Sequence, residues 1–168
     1  AGTGTAGYSG DAGPATSAQL AIPHGLAIDP AGNVYVAELD NARIRRIAAG
    51  TGTITTYAGT GNGGSSGDGG PAGAAEIAAL GLATDPAGTF LYFSETGTNR
   101  VRRIAFDTTN VFRVAGTSDY GYTGDLASST ASAFRDPRRV AFDAQGNLFV
   151  ADSGNGRIRR VDARTRVV

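Results

Sequence analysis

One pattern of 57 residues is written three times along this chain, and that repetition limits the fold more than any single residue does. Asp11, Asp68 and Asp125 stand one period apart, and so do Glu38, Glu95 and Asp152. Arg43, Arg100 and Arg157 keep the same step, as do the doublets Arg45-Arg46, Arg102-Arg103 and Arg159-Arg160. A fixed period of this order marks a solenoid, propeller or array, in which one supersecondary unit buries its apolar face only against copies of itself.

Each copy reads as four short strands. In the first, residues 1–57, a glycine-rich loop precedes Pro14-Ala-Thr-Ser-Ala-Gln-Leu20, where Pro14 and Asp11 predict a capped helical turn. Gly25–Asp29 is the first strand and Asp29-Pro-Ala-Gly-Asn33 a turn by composition. Val34–Glu38, Arg43–Ile47 and Thr53–Tyr57 follow as strands joined by short turns, which gives an antiparallel meander. Apolar residues occupy both faces: Val34 and Val36 point one way, Tyr35 and Ala37 the other. Such a sheet needs cover on both sides, which radially stacked blades provide. The second copy, 58–114, carries one extra residue between Asp85 and Glu95; the third, 115–168, stops within its last strand.

Composition removes several chemistries. The 168 residues suffice for a real core, and the net charge is zero, so no long-range field gathers nucleic acid. With no Cys there is no disulfide, thiolate metal site or thiol nucleophile, and His24 is the sole His. No apolar run reaches membrane-spanning length. The start at Ala1 reads as processed or cut from something longer, and with the glycine-rich makeup and the lack of Lys, Met and Cys it points to a secreted, periplasmic or cell-surface bacterial protein.

Candidate sites fall in four groups. Glu38/Arg43, Glu95/Arg100 and Asp152/Arg157 flank a four-residue loop, and opposite charges there support hairpin register. Arg46, Arg103 and Arg160 recur once per blade as a candidate basic rim. Asp11, Asp68 and Asp125 are weak metal ligands, one carboxylate per loop, and read better as helix caps. Tyr8, Tyr120 and Tyr122 lie in the long loops 1–22, 58–79 and 115–136 and are candidate contact residues, or pack the loop onto the blade. His24 is matched by Leu80 and Arg138, so it is not a repeated ligand.

Gly25-Leu-Ala-Ile-Asp-Pro-Ala-Gly-Asn-Val-Tyr-Val-Ala-Glu38, then Asp40-Asn-Ala-Arg-Ile-Arg-Arg-Ile47, resembles the NHL repeat, and Asn155-Gly-Arg-Ile-Arg-Arg160 is equally close. The Gly-Asp-(Ala/Gly)-Gly-Pro-Ala segments at 10–15 and 67–72 look like the long inter-blade loops of bacterial NHL proteins; the third copy departs at Gly124-Asp-Leu-Ala-Ser128. The resemblance implies an all-β propeller of four-stranded antiparallel blades, three of them here. A ring typically takes about four to eight blades. Three blades therefore form half of a six-bladed ring, closed by a second copy or by the remainder of a longer chain. Most such propellers are binding scaffolds and a minority are enzymes. The reading is a non-enzymatic binding and assembly module without cofactor, with a protein or glycan ligand. Two alternatives remain: a lyase- or lactonase-like enzyme with a carboxylate-bound metal in the channel, and a building block of an extracellular filament.

Overall fold

The computed structural model describes residues 1–168. Eleven strands form three antiparallel sheets in chain order. Blade 1 holds β1 (Pro23–Ile28), β2 (Val34–Glu38), β3 (Arg43–Ile47) and β4 (Ile54–Ala58). Blade 2 holds β5 (Ala79–Thr84), β6 (Phe90–Glu95), β7 (Arg100–Ala105) and β8 (Val111–Ala115). Blade 3 holds β9 (Pro137–Phe142), β10 (Leu148–Asp152) and β11 (Arg157–Val161). Each sheet is a meander in sequence order, and β1, β5 and β9 lie side by side where neighbouring blades meet.

The third blade departs from the four-strand expectation. At its fourth-strand position Val167 makes only an isolated bridge to Ser128, the same bridge that Thr53 makes to Pro14 and Asn110 to Pro71. In all three copies the glycine-rich loop thus runs back along the edge of its own blade. The backbone of Ala12 donates to the Ile54 carbonyl and that of Ile54 to the Gly13 carbonyl. The capped helical turn is a single 3-10 turn, Ala15–Ser17, preceded by Pro14 and without a side-chain cap, so Asp11 does not cap it.

Turn chemistry explains the strand spacing. Asp29 accepts from the backbone N–H and the side-chain amide of Asn33 and from the Tyr35 hydroxyl, and Asp143 repeats the arrangement with Asn147. Blade 2 absorbs its extra residue here: Asp85 takes the N–H groups of both Thr89 and Phe90 and the Thr89 hydroxyl. These are side chains closing a tight turn on their own backbone.

The core lies between blades. Ala27, Tyr35, Ala37 and Ile44 of blade 1 pack on Leu82, Leu91, Phe93 and Ile104 of blade 2. Across the next seam, Tyr92 and Val101 pack on Val140, Leu148 and Val150. Burial on both faces thus comes from the stacking that the apolar pattern required.

Candidate functional site: three clasps and two open faces

The chemistry-bearing residues gather at the β2–β3 end of each blade, around a buried arginine. Arg45 reaches Asp11 at 2.6 Å and Glu38 at 3.3 Å. Arg102 reaches Asp68 at 2.8 Å and Glu95 at 3.3 Å. Arg159 reaches Asp125 at 2.8 Å and Asp152 at 3.4 Å. The same guanidiniums donate to loop carbonyls, those of Ser9, Ser66 and Thr123. The second carboxylate of each set also accepts the backbone N–H of Ala21, Ala78 or Arg135, where the loop enters the inner strand. Each set is a clasp that fastens a long loop to its blade. A buried guanidinium persists only when its charge and most of its donors are met, and here the loop meets them, the Nε of Arg45 and of Arg159 excepted.

The sequence pairs Glu38 with Arg43, Glu95 with Arg100 and Asp152 with Arg157. These are register partners across the β2–β3 type hairpins. The ion pairs nevertheless form two residues further on, because the diagonal neighbour on the same face is the buried one. Arg43 and Arg100 instead bond the loop carbonyls of Thr60 and Ser65. Arg157 donates to the Asn155 carbonyl. The arginines that organise the clasps, Arg45, Arg102 and Arg159, were visible only as the first member of each repeated Arg-Arg doublet.

Electrostatics follow from this burial. Burial pushes Glu38 and Glu95 above the ordinary carboxylate value, opposed by Arg45 and the Ala21 N–H in one case and Arg102 in the other. For Asp11, burial acts upward, but the Thr56 hydroxyl, the Arg45 charge and the Tyr8 hydroxyl outweigh it and hold the carboxyl below its usual value. Asp125 is held low first by the Tyr122 hydroxyl and then by Arg159.

The tyrosines join these clasps. Tyr8 lies under Arg43 at 4.0 Å and bonds Asp11 and Thr56. Tyr122 lies under Arg157 at 4.0 Å and bonds Asp125. Tyr120 stacks with Arg135 at 4.6 Å and stays exposed. Arg46, Arg103 and Arg160 sit on the opposite sheet face, as alternate strand residues must, so they do not share one loop face with the tyrosines. Arg160 pairs with Asp162 at 2.7 Å, and Arg103 donates to the Tyr92 hydroxyl. Asp11, Asp68 and Asp125 each serve an arginine, and nowhere do three His, Cys, Asp or Glu side chains converge as a metal site. His24 is exposed on β1.

The two end faces were not legible as residues. Leu26 is 64% exposed, whereas Leu82 and Val140 at the same blade position are each 7% exposed. Ile158 is 70% exposed, whereas its counterparts Ile44 and Val101 are fully buried. Where a neighbouring blade is present it covers both positions. The seams also need glycine. A Cβ on Gly25 would collide with the Leu80 carbonyl, and one on Gly81 would sit 2.5 Å from the Arg138 carbonyl. Blade 3 carries Arg139 at that position, on its outward face.

Comparison with known proteins agrees with this geometry. The family model of the NHL repeat matches residues 20–47 and 134–161. The first covers β1 to β3 of blade 1, and the second runs from Phe134 to the end of β11. A Bacteroides thetaiotaomicron protein of unknown function is similar over 88% of this chain and 37% of its own, with 20% identity and a TM-score of 0.73. An auxiliary nutrient binding protein of Bacteroides ovatus shows 15% identity and a TM-score of 0.66 over 90% and 36%. A gluconolactonase of Xanthomonas campestris shows 16% and 0.58 over 82% and 37%. No curated protein matches. The chain carries NHL repeats and has a propeller fold, and it spans little more than a third of the length of these structures.

Proposed function

We propose that this chain is a non-catalytic binding and assembly module, three blades of a larger propeller whose end faces are each covered by a further blade. The observation that carries the reading is the contrast between Leu26 and Ile158, open to water, and their buried counterparts. Apolar surface of this kind, on a face built for blade contact, favours association. A second copy or further sequence of the same polypeptide supplies the missing blades. Arg139 stands where Gly25 and Gly81 make their close approaches, so the junction beyond blade 3 is packed differently from the two internal seams. The long loops, fastened by the clasps, are the surface offered to a protein or glycan ligand in an exported setting.

A lactonase-like activity would draw its metal ligands at least in part from blades beyond these three, since nowhere in them do three carboxylate or histidine side chains converge. Sedimentation velocity over a range of concentrations tests the assembly reading. Association that Leu26→Asp abolishes is the expected result. A folded chain that stays strictly monomeric overturns it.

A further inference from the structure

The two internal seams differ at the end formed by the β1–β2 type turns. Between blades 1 and 2 this end is closed. Phe106 packs against Tyr35 with ring centres 5.5 Å apart, and Gly88 of one turn abuts Pro30 of the other so closely that no side chain would fit. Between blades 2 and 3 the counterpart of Phe106 is Ala163. At Gly146, the counterpart of Gly88, an added Cβ would meet only Ala163 within 4 Å, and Pro86 lies beyond its reach. A cleft of about 300 Å³ remains, at the lower end of the range for small-ligand sites.

Its lining is aromatic and its floor is cationic. Tyr92 and Phe142 meet edge to face at 4.7 Å. The Arg103 guanidinium lies over Phe90 at 4.0 Å and makes a single hydrogen bond, to the Tyr92 hydroxyl. Its Nε is buried without a partner, and no carboxylate lies within ion-pair distance. Asp85, also on the wall, is already engaged by Thr89 and Phe90. A second unpaired cation, Arg166, stands at the mouth. Of its two counterparts, Arg160 is paired with Asp162, whereas Arg46 likewise has no carboxylate at ion-pair distance.

We propose that the cleft between blades 2 and 3 binds a small carboxylate carried on a six-membered ring. The ring lies against the half-buried Phe142, and the carboxylate takes the free Nη2 donors of Arg103. A guanidinium recognises a carboxylate through paired N–H donors, and an aromatic wall accepts either an aryl ring or the C–H face of a sugar. An aromatic acid and a uronic acid share this chemistry. The site lies wholly inside this chain, so it stands or falls independently of how the ring is completed.

Saturation-transfer NMR on the 168-residue chain tests it, with benzoate and glucuronate as probes and benzyl alcohol and glucose as neutral controls. Saturable binding of at least one acid, without binding of its neutral control, is expected. Benzoate alone identifies an aryl ligand and glucuronate alone a sugar acid. Ala163→Phe, which copies the packing of Phe106, abolishes binding while the thermal unfolding profile stays cooperative. Arg103→Met keeps the apolar stem and weakens binding about tenfold or more, the loss expected for a charge-assisted pair. Failure of both acids to saturate in the millimolar range overturns the proposal, as does binding that survives in both variants.

Discussion

Gly81 offers the sharpest test of how the blades stack. Its N–H donates to Ser94 Oγ at 3.0 Å, and that hydroxyl donates to the Arg138 carbonyl at 3.0 Å, so a two-bond relay crosses the seam. Replacing Gly81 with Ala sets a Cβ 2.5 Å from the Arg138 carbonyl, 2.9 Å from Arg139 Cα and 3.0 Å from Ser94 Oγ. Two of these contacts are backbone, so no rotamer change relieves them, and blade 3 must move away. Overpacking of this kind costs about 1–3 kcal/mol. The narrower unfolded ensemble returns about 0.4–1 kcal/mol, which leaves Gly81→Ala destabilised by roughly 1–2 kcal/mol. Gly73→Ala is the matched control, since Gly73 is exposed, has no strained φ, and its Cβ would meet nothing within 4 Å. That variant gains the entropic part alone. The two should differ by about 2 kcal/mol, or roughly 4–8 °C in Tm for a chain of this size. Thermal and urea unfolding followed by circular dichroism would measure the gap. If the two variants melt together, the close approach of β5 and β9 is not what holds the seam.

Three further outcomes follow from the same geometry. Leu82→Ala removes a buried seam residue and should cost about 2–5 kcal/mol, whereas Leu26→Ala, at the open counterpart, should hardly change the unfolding midpoint at concentrations low enough to keep the chain monomeric. Arg102→Met strands Glu95 and Asp68 and should cost about 3–5 kcal/mol, with limited proteolysis shifting into the 58–79 loop; an unchanged cleavage pattern would argue against the clasp. Asp11, held below its ordinary value of 3.8, contributes stability that is complete above that pH and is lost as pH falls through its lower folded value. The stability gap between the parent chain and Asp11→Asn should therefore be constant near neutrality and close in acid, while the buried Glu95, shifted upward, acts in the opposite sense in both proteins. A gap that stays open in acid would show that Asp11 does not rely on its charge.

The repeat, the strand type and much of the local geometry were legible in the order of the residues. The bounds of β2 and β3 could be read directly because apolar and polar residues there are hemmed in by turn residues such as Asp29-Pro-Ala-Gly-Asn33 and Leu39-Asp-Asn-Ala42. The need for cover on both faces followed from the apolar pattern, and stacked blades satisfied it. Which arginine of Arg43-Ile-Arg-Arg46 would be buried could not be read, because only the loop folding back from Ser9 and Asp11, far away in sequence, gives Arg45 its partners. Nor could the sequence rank the copies at their seams. Phe106 and Ala163 occupy one repeat position, as do Gly81 and Arg139, and their meaning depends on what stands across the gap. A period fixes what each blade must contain, since those constraints act within about one repeat length. Contacts between repeats decide which seam closes, which stays open as a cleft, and which faces are left for a partner, and those distances exist only once the blades are packed.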